Sequence, residues 1–155
     1  MEIIVGTNNQ GKLKEMQSGL KDPAIQLVSY RKYTTSQEQP AETGTTYAEN
    51  AYLKARFFQQ LIGRPVLGDD GGLTLTAFPD LLGIYTSRFF HSANPEEQNR
   101  ELLDLFEGQQ STRELTLSAT LVYVLDDDKL LQTEAALTGE LVEPRGTGGY
   151  GFDPI

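Results

Sequence analysis

The sequence predicts an α/β (mixed α+β) fold built on a mixed sheet, and three observations carry that expectation. Short apolar runs interleave with helix-periodic segments in the first half of the chain, the pattern of βαβ units. Two long strand-like stretches follow, joined by Asp126-Asp127-Asp128, which reads as an antiparallel hairpin. The length, 155 residues, fits one domain spanning 1–155 with a real core.

The elements follow in order. Ile3 to Val5 is β-branched and apolar, and Gly6 to Gly11 is a polar turn. Lys12 to Leu20 reads as a helix, with Leu13, Met16 and Leu20 at spacings of three and four. Ile25 to Val28 is the next strand, and Ser29 to Pro40 is polar and aperiodic, hence loop. Gly44 to Gly63 carries the strongest helix, opened by the capping box Thr46-Tyr47-Ala48-Glu49 and stopped by Gly63 before Pro65. Pro65 to Asp69 reads as a buried strand, Gly71-Gly72 as a sharp turn, and Leu73 to Thr76 as a further strand. Asn94 caps a helix running to about Phe106, with Pro95 at its first position and acids in its first turn. Leu115 to Leu125 and Leu130 to Val142 form the hairpin, and a Gly-rich loop, Pro144 to Ile155, follows.

The charge balance narrows the function. Lys and Arg number 13 against 22 Asp and Glu, a net charge of −9. That argues against wrapping DNA or binding anionic membranes, while leaving a nucleotide ligand open. The absence of Cys excludes disulfides, thiolate zinc sites and thiol catalysis, and fits a reducing compartment. No apolar run nears the roughly 18 residues of a spanning helix, and the N-terminus lacks the pattern of a signal peptide.

Four features could carry chemistry. The turn Gly6-Thr7-Asn8-Asn9-Gln10-Gly11-Lys12 meets the first seven positions of a P-loop, but Leu13 stands where a P-loop needs Ser or Thr. Its backbone N–H groups, helix dipole and Lys12 can still meet at one anion, or it is an ordinary strand–helix turn. Asn50 and Lys54 fall one turn apart inside the apolar arc of the long helix, and Glu49 falls outside it. A lysine there either snorkels outward or is aimed at phosphates. Asp69-Asp70-Gly71-Gly72 ends a buried strand and suits a hard cation, or it is an exposed turn. The run Gly146 to Pro154 flanks Tyr150 and Phe152 with glycines and places Asp153 beside them; it could stack on a base, or cap the core. His91 and the run 126–128 read as solvated surface.

Five segments in order give the chain its resemblance: Thr7 to Lys12; Glu42 to Ala51 with Lys54-Ala55; Asp69 to Leu73; Gly83 to Arg88; and Gly146 to Ile155. The chain resembles the bacterial inosine triphosphate pyrophosphatase family, the non-canonical purine NTP pyrophosphatases. The resemblance implies a long, twisted mixed sheet with helices forming two lobes around a central nucleotide cleft. It also implies a Mg²⁺-dependent, homodimeric, cytoplasmic enzyme that hydrolyses ITP, dITP and XTP to the monophosphate plus pyrophosphate. The implied substrate contacts are Thr7, Asn8, Asn9, Gln10, Gly11, Lys12, Asn50, Lys54 and Gly71, with Asn8, Lys12 and Lys54 on the triphosphate. Tyr150 would stack on the purine, and Gly151, Phe152 and Asp153 would complete that wall. Asp70 is implied as general base and metal partner, with Asp69 and Glu42 supporting the metal.

Three departures stand out. Gly71 replaces the family's serine, Leu82 its proline, and the family continues past the stretch that ends this chain at Ile155. The missing base-reading segment makes the chain look truncated at its C-terminus. Those departures motivate an alternative, a non-catalytic purine-nucleotide-binding protein. A related pyrophosphatase acting on dTTP or UTP is disfavoured, because that family's N-terminal Ser-Arg motif is absent.

Overall fold

The computed structural model describes residues 1–146 and 151–155. The elements are β1 (Glu2–Val5), α1 (Gln10–Gly19), β2 (Gln26–Ser29), α2 (Tyr47–Ile62), β3 (Val66–Leu75), α3 (Thr86–Phe89), α4 (Pro95–Asp104), β4 (Glu114–Val124) and β5 (Leu130–Glu140). Short 3-10 turns occupy Tyr30–Lys32 and Gly83–Tyr85. The five strands make one sheet in the order β2-β1-β3-β4-β5. β1 pairs in parallel with both β2 and β3. The turn bond from Leu125 N–H to the Lys129 carbonyl sets an antiparallel register that the Thr116–Thr138 contact keeps. The mixed sheet expected from the sequence is therefore present.

The chain folds as two compact units, one of Met1–Asp70 with Ala119–Ala135, the other of Gly71–Ser118 with Ala136–Ile155. In the first, strand alternation sorts side chains onto two faces. Ile4, Val28 and Val66 pack with Tyr30 and Phe58 on the α2 side. Val5, Leu27 and Leu67 pack with Leu13 on the α1 side. The pairings Ile4↔Val66 and Val5↔Leu67 keep the two sets in register.

Helix α2 begins at the expected capping box. Thr46 accepts from the Glu49 N–H, and Glu49 accepts from the Thr46 N–H. It ends at Gly63, whose φ of 71° is a left-handed cap that an L side chain resists. The helix lies against β3 at Gly68, where an added Cβ would sit 2.1 Å from the Ala51 carbonyl oxygen. Ala51 and Ala55 pack there against Val122 and Val124 of β4.

The second unit has its own core of Leu73, Leu75, Leu82, Leu102, Phe106, Leu115 and Leu141. Helix α4 is capped by Asn94, whose side chain accepts from the Glu96 N–H at 2.9 Å. The Thr86 hydroxyl donates to the Gly83 carbonyl at 2.6 Å and accepts from the Leu73 N–H at 3.0 Å. This fixes the start of α3 against β3.

One expectation is corrected. Gly71 and Gly72 make no turn: β3 runs unbroken for ten residues, and neither glycine has a positive φ. Pairing across the sheet holds the backbone extended, because β3 is hydrogen-bonded between β1 and β4 and the Thr76 N–H bonds to the Glu114 carbonyl. Ladder bonds on a flanking strand outweigh the local preference of two glycines.

Gly68→Ala should destabilise the protein by about 1–3 kcal/mol or more through overpacking against α2. Gly139→Ala, on β5 where a Cβ meets nothing within 4 Å, should be near neutral. Urea denaturation of the two variants checks the contrast.

Candidate active site

The strand order places the site. β1 connects through α1 to β2 on one side, and β2 connects through α2 to β3 on the other. The direction of winding therefore reverses between β1 and β3, and the carboxyl ends of strands at such a reversal are where α/β sheets bind ligands. β1 ends at Val5, opposite Leu67, and the Gly6 N–H bonds to the Leu67 carbonyl at 2.8 Å. Asp69 and Asp70 thus lie on β3 just past the end of β1.

Because they are consecutive on a strand, these acids face opposite ways. Asp69 points to the α1 side, where Lys12 Nζ meets its Oδ2 at 2.7 Å. Asp70 points to the α2 side, where Lys54 Nζ meets its Oδ1 at 2.9 Å. Both acids are buried, at 4% and 8% exposure, so each depends on its lysine for charge compensation. Asp69 Oδ1 is also buried and has no hydrogen-bond partner.

Lys54 does more than pair with one acid. Its ammonium also donates to Glu42 Oε1 at 2.8 Å and to the Asp69 carbonyl at 3.1 Å. Burial pulls its pKa down, but the hydrogen bond to Glu42 and the charge of Asp70 outweigh that and hold it above the ordinary lysine value. Lys54 therefore does not snorkel outward; it gathers two carboxylates. Half-buried Tyr47 lies near enough that burial, with the Asp70 charge adding to it, raises its phenol pKa.

Asn50 is 2% exposed and accepts the Gly44 N–H on Oδ1 at 2.9 Å. It thereby ties down the segment that carries Glu42. In the N-terminal turn, Thr7 is buried and accepts from the Asn9 N–H, and Asn9 caps α1 by accepting from the Lys12 N–H at 3.1 Å. Gln10 and Gly11 form the first turn of α1. Asn8 is exposed and bonds to Tyr30, Arg31 and Gln39. Sequence reasoning missed those three, reading the region as featureless loop. The signal was positional: Tyr30 and Arg31 directly follow β2, a strand parallel to β1.

Glu42 and Asp70 offer converging oxygen donors suited to a hard cation, in the number, one or two, that Mg²⁺ usually takes from protein when phosphates supply the rest; Asp69, expected with them, faces the opposite side of the strand. Among the described residues no group of three or more acidic, His or Cys side chains forms a ready-made metal cluster. The Lys54 ammonium, a cation already held by Glu42 and Asp70, fits such a partial donor set.

Of the expected base wall, Tyr150 lies outside the described residues. In the second unit Gly151 has a positive φ of 62°, and its carbonyl accepts from Asn99 Nδ2 at 3.2 Å. Phe152 packs on Phe90 with ring centroids 5.6 Å apart, and Asp153 is exposed. Gly71 lies within β3. His91 is on the surface beside Glu101, and Asp127 at the hairpin tip pairs with Arg56.

Comparison with known proteins decides the family. The Ham1 family model matches residues 3–155. The chain belongs to the Ham1 family. Among its relatives, a dITP/XTP pyrophosphatase of Verminephrobacter eiseniae is 37% identical, covering all of this chain and 80% of that protein. A dITP/XTP pyrophosphatase of Deinococcus deserti is 35% identical, covering 99% of this chain and 72% of the relative. A solved HAM1 protein from Coxiella burnetii superposes with a TM-score of 0.82 at 32% identity, over all of this chain and 80% of that one. No helix among the described residues of this Ham1 family chain is long and apolar enough to cross a membrane.

Asn50→Ala should cost about 1–3 kcal/mol, because it leaves the Gly44 N–H without its partner. It should also speed cleavage after Glu38 or Glu42 by a Glu-specific protease. Urea midpoints and limited proteolysis check both.

Proposed function

We propose that this chain hydrolyses non-canonical purine nucleoside triphosphates, ITP, dITP and XTP, to the monophosphate and pyrophosphate. The observation that carries the reading is the pair Asp69-Asp70, split to opposite faces of β3 past the end of β1, each acid on its own lysine. Relatives carrying the name dITP/XTP pyrophosphatase support the substrate class.

In this reading Lys12 and Lys54 exchange carboxylate partners for phosphate oxygens, and Asn8 adds an amide N–H. Asp70 takes a proton from the water that attacks the α-phosphorus. The bond from that phosphorus to the bridging oxygen breaks, and pyrophosphate leaves. Glu42 and Asp70, which converge on the α2 side, would hold Mg²⁺, which neutralises charge on the phosphates when bound, whereas Asp69 faces the other side of β3 with Lys12. Tyr150, Gly151, Phe152 and Asp153 would form the base wall. The resemblance to the pyrophosphatase family supports that wall, together with a homodimeric state and a cytoplasmic setting.

Gly71, standing where the family has serine, favours a second reading: a purine-nucleotide-binding protein without turnover. Pyrophosphate release from ITP, dGTP and dTTP, with and without Mg²⁺, separates the two. Mg²⁺-dependent turnover of ITP supports the enzyme; tight ITP binding with no turnover supports the second reading.

Asp70→Asn should lower turnover of ITP by roughly 10²–10⁴ while nucleotide binding, followed by calorimetry, persists. Turnover near the wild-type rate would remove Asp70 from the mechanism.

A further inference from the structure

The side chain of Asn8 sits in a closed ring of hydrogen bonds. The Tyr30 hydroxyl donates to Asn8 Oδ1, Asn8 Nδ2 donates to Gln39 Oε1, and Gln39 Nε2 donates back to the Tyr30 oxygen at 3.2 Å. Arg31 adds a fourth link, with Nη2 donating to Asn8 Oδ1 at 3.1 Å. A guanidinium can only donate. It therefore decides which end of the Asn8 amide faces inward: the end beside Arg31 must be the oxygen. The amide NH₂ then points the other way, with one N–H on Gln39 and the second left to give.

The ring is anchored. Tyr30 is 0% exposed, and its ring stacks on Phe58 with centroids 4.0 Å apart. The Arg31 guanidinium lies 4.7 Å from the centre of the Tyr30 ring, and its Nη1 donates to the Ser36 carbonyl at 2.9 Å. The orientation of Asn8 is thus set from the core outward, through Tyr30, rather than by solvent.

We propose that Tyr30 and Arg31 are positioning residues for the triphosphate, acting through Asn8 by turning its amide N–H toward the phosphates. A phosphate oxygen only accepts, so an Asn8 amide turned the other way would present its oxygen and repel the ligand. The inference rests on the reading of Asn8 as a phosphate contact.

The test is the affinity of the full chain for ITP with Mg²⁺, measured by calorimetry, together with KM and kcat for pyrophosphate release. Asn8→Ala, Tyr30→Phe and Arg31→Met should each weaken ITP binding about tenfold, the worth of one hydrogen bond to a charged group. KM should rise while kcat holds. Tyr30→Phe keeps the packed ring, and thermal melting confirms that each variant is folded. In the Asn8→Ala background, Tyr30→Phe should weaken binding no further.

Loss in Asn8→Ala with unchanged affinity in Tyr30→Phe and Arg31→Met would overturn this inference alone. So would a Tyr30→Phe loss that persists in the Asn8→Ala background, since it would then act through general structure. No effect of Asn8→Ala, or no ITP binding by the wild-type chain, would overturn both the inference and the reading beneath it.

Discussion

Two adjacent carboxylates on a buried strand constrain everything around them. Asp69 and Asp70 cannot both be left ionised and dry, because an unpaired buried charge costs several kcal/mol. Strand alternation sends them to opposite faces, so one partner cannot serve both. A cation must come from each covering helix, and α1 and α2 supply Lys12 and Lys54. The same parity sorts the apolar residues: the face that carries Asp70 packs on Phe58, and the face that carries Asp69 packs on Leu13. Charge pairing and core packing thus fix a single register of β3.

Close approach completes the arrangement. Lys54 reaches Asp70 because α2 lies directly on the backbone of β3, and it lies there because residue 68 has no side chain. Glu42 reaches the same ammonium from an irregular segment between the 3-10 turn at Tyr30–Lys32 and α2. Polar ties hold that segment: Arg31 to the Ser36 carbonyl, Gln39 to Asn8, and Asn50 to Gly44. A site held by hydrogen bonds on one side and by packed helices on the other has one rigid wall and one wall whose bonds a ligand can exchange.

Much of this was legible in the sequence. Capping signals placed α2 and α4 to within a few residues, because cap chemistry is local. Asn50 and Lys54 stood out as polar residues inside an apolar arc, and both prove to be tied into the site. The break expected at Gly71-Gly72 failed because pairing with β4 is a long-range effect that composition does not show. Tyr30, Arg31 and Gln39 went unread for the same reason. Their meaning depends on β2 lying beside β1, which no run of residues from 29 to 40 announces. The sequence leaves Lys54 open between snorkelling and phosphate binding, and only the fold brings Glu42, eight residues before Asn50, to the same ammonium.

Lys54 compensates the buried charge of Asp70 at the end of the β1–β3 reversal. A double-mutant cycle of Lys54→Met and Asp70→Asn, read by urea denaturation, measures that compensation. Lys54→Met should be much less costly when Asp70 is already neutral, with a coupling of about 1–3 kcal/mol. Effects of the two substitutions that add to within about 0.5 kcal/mol would contradict it.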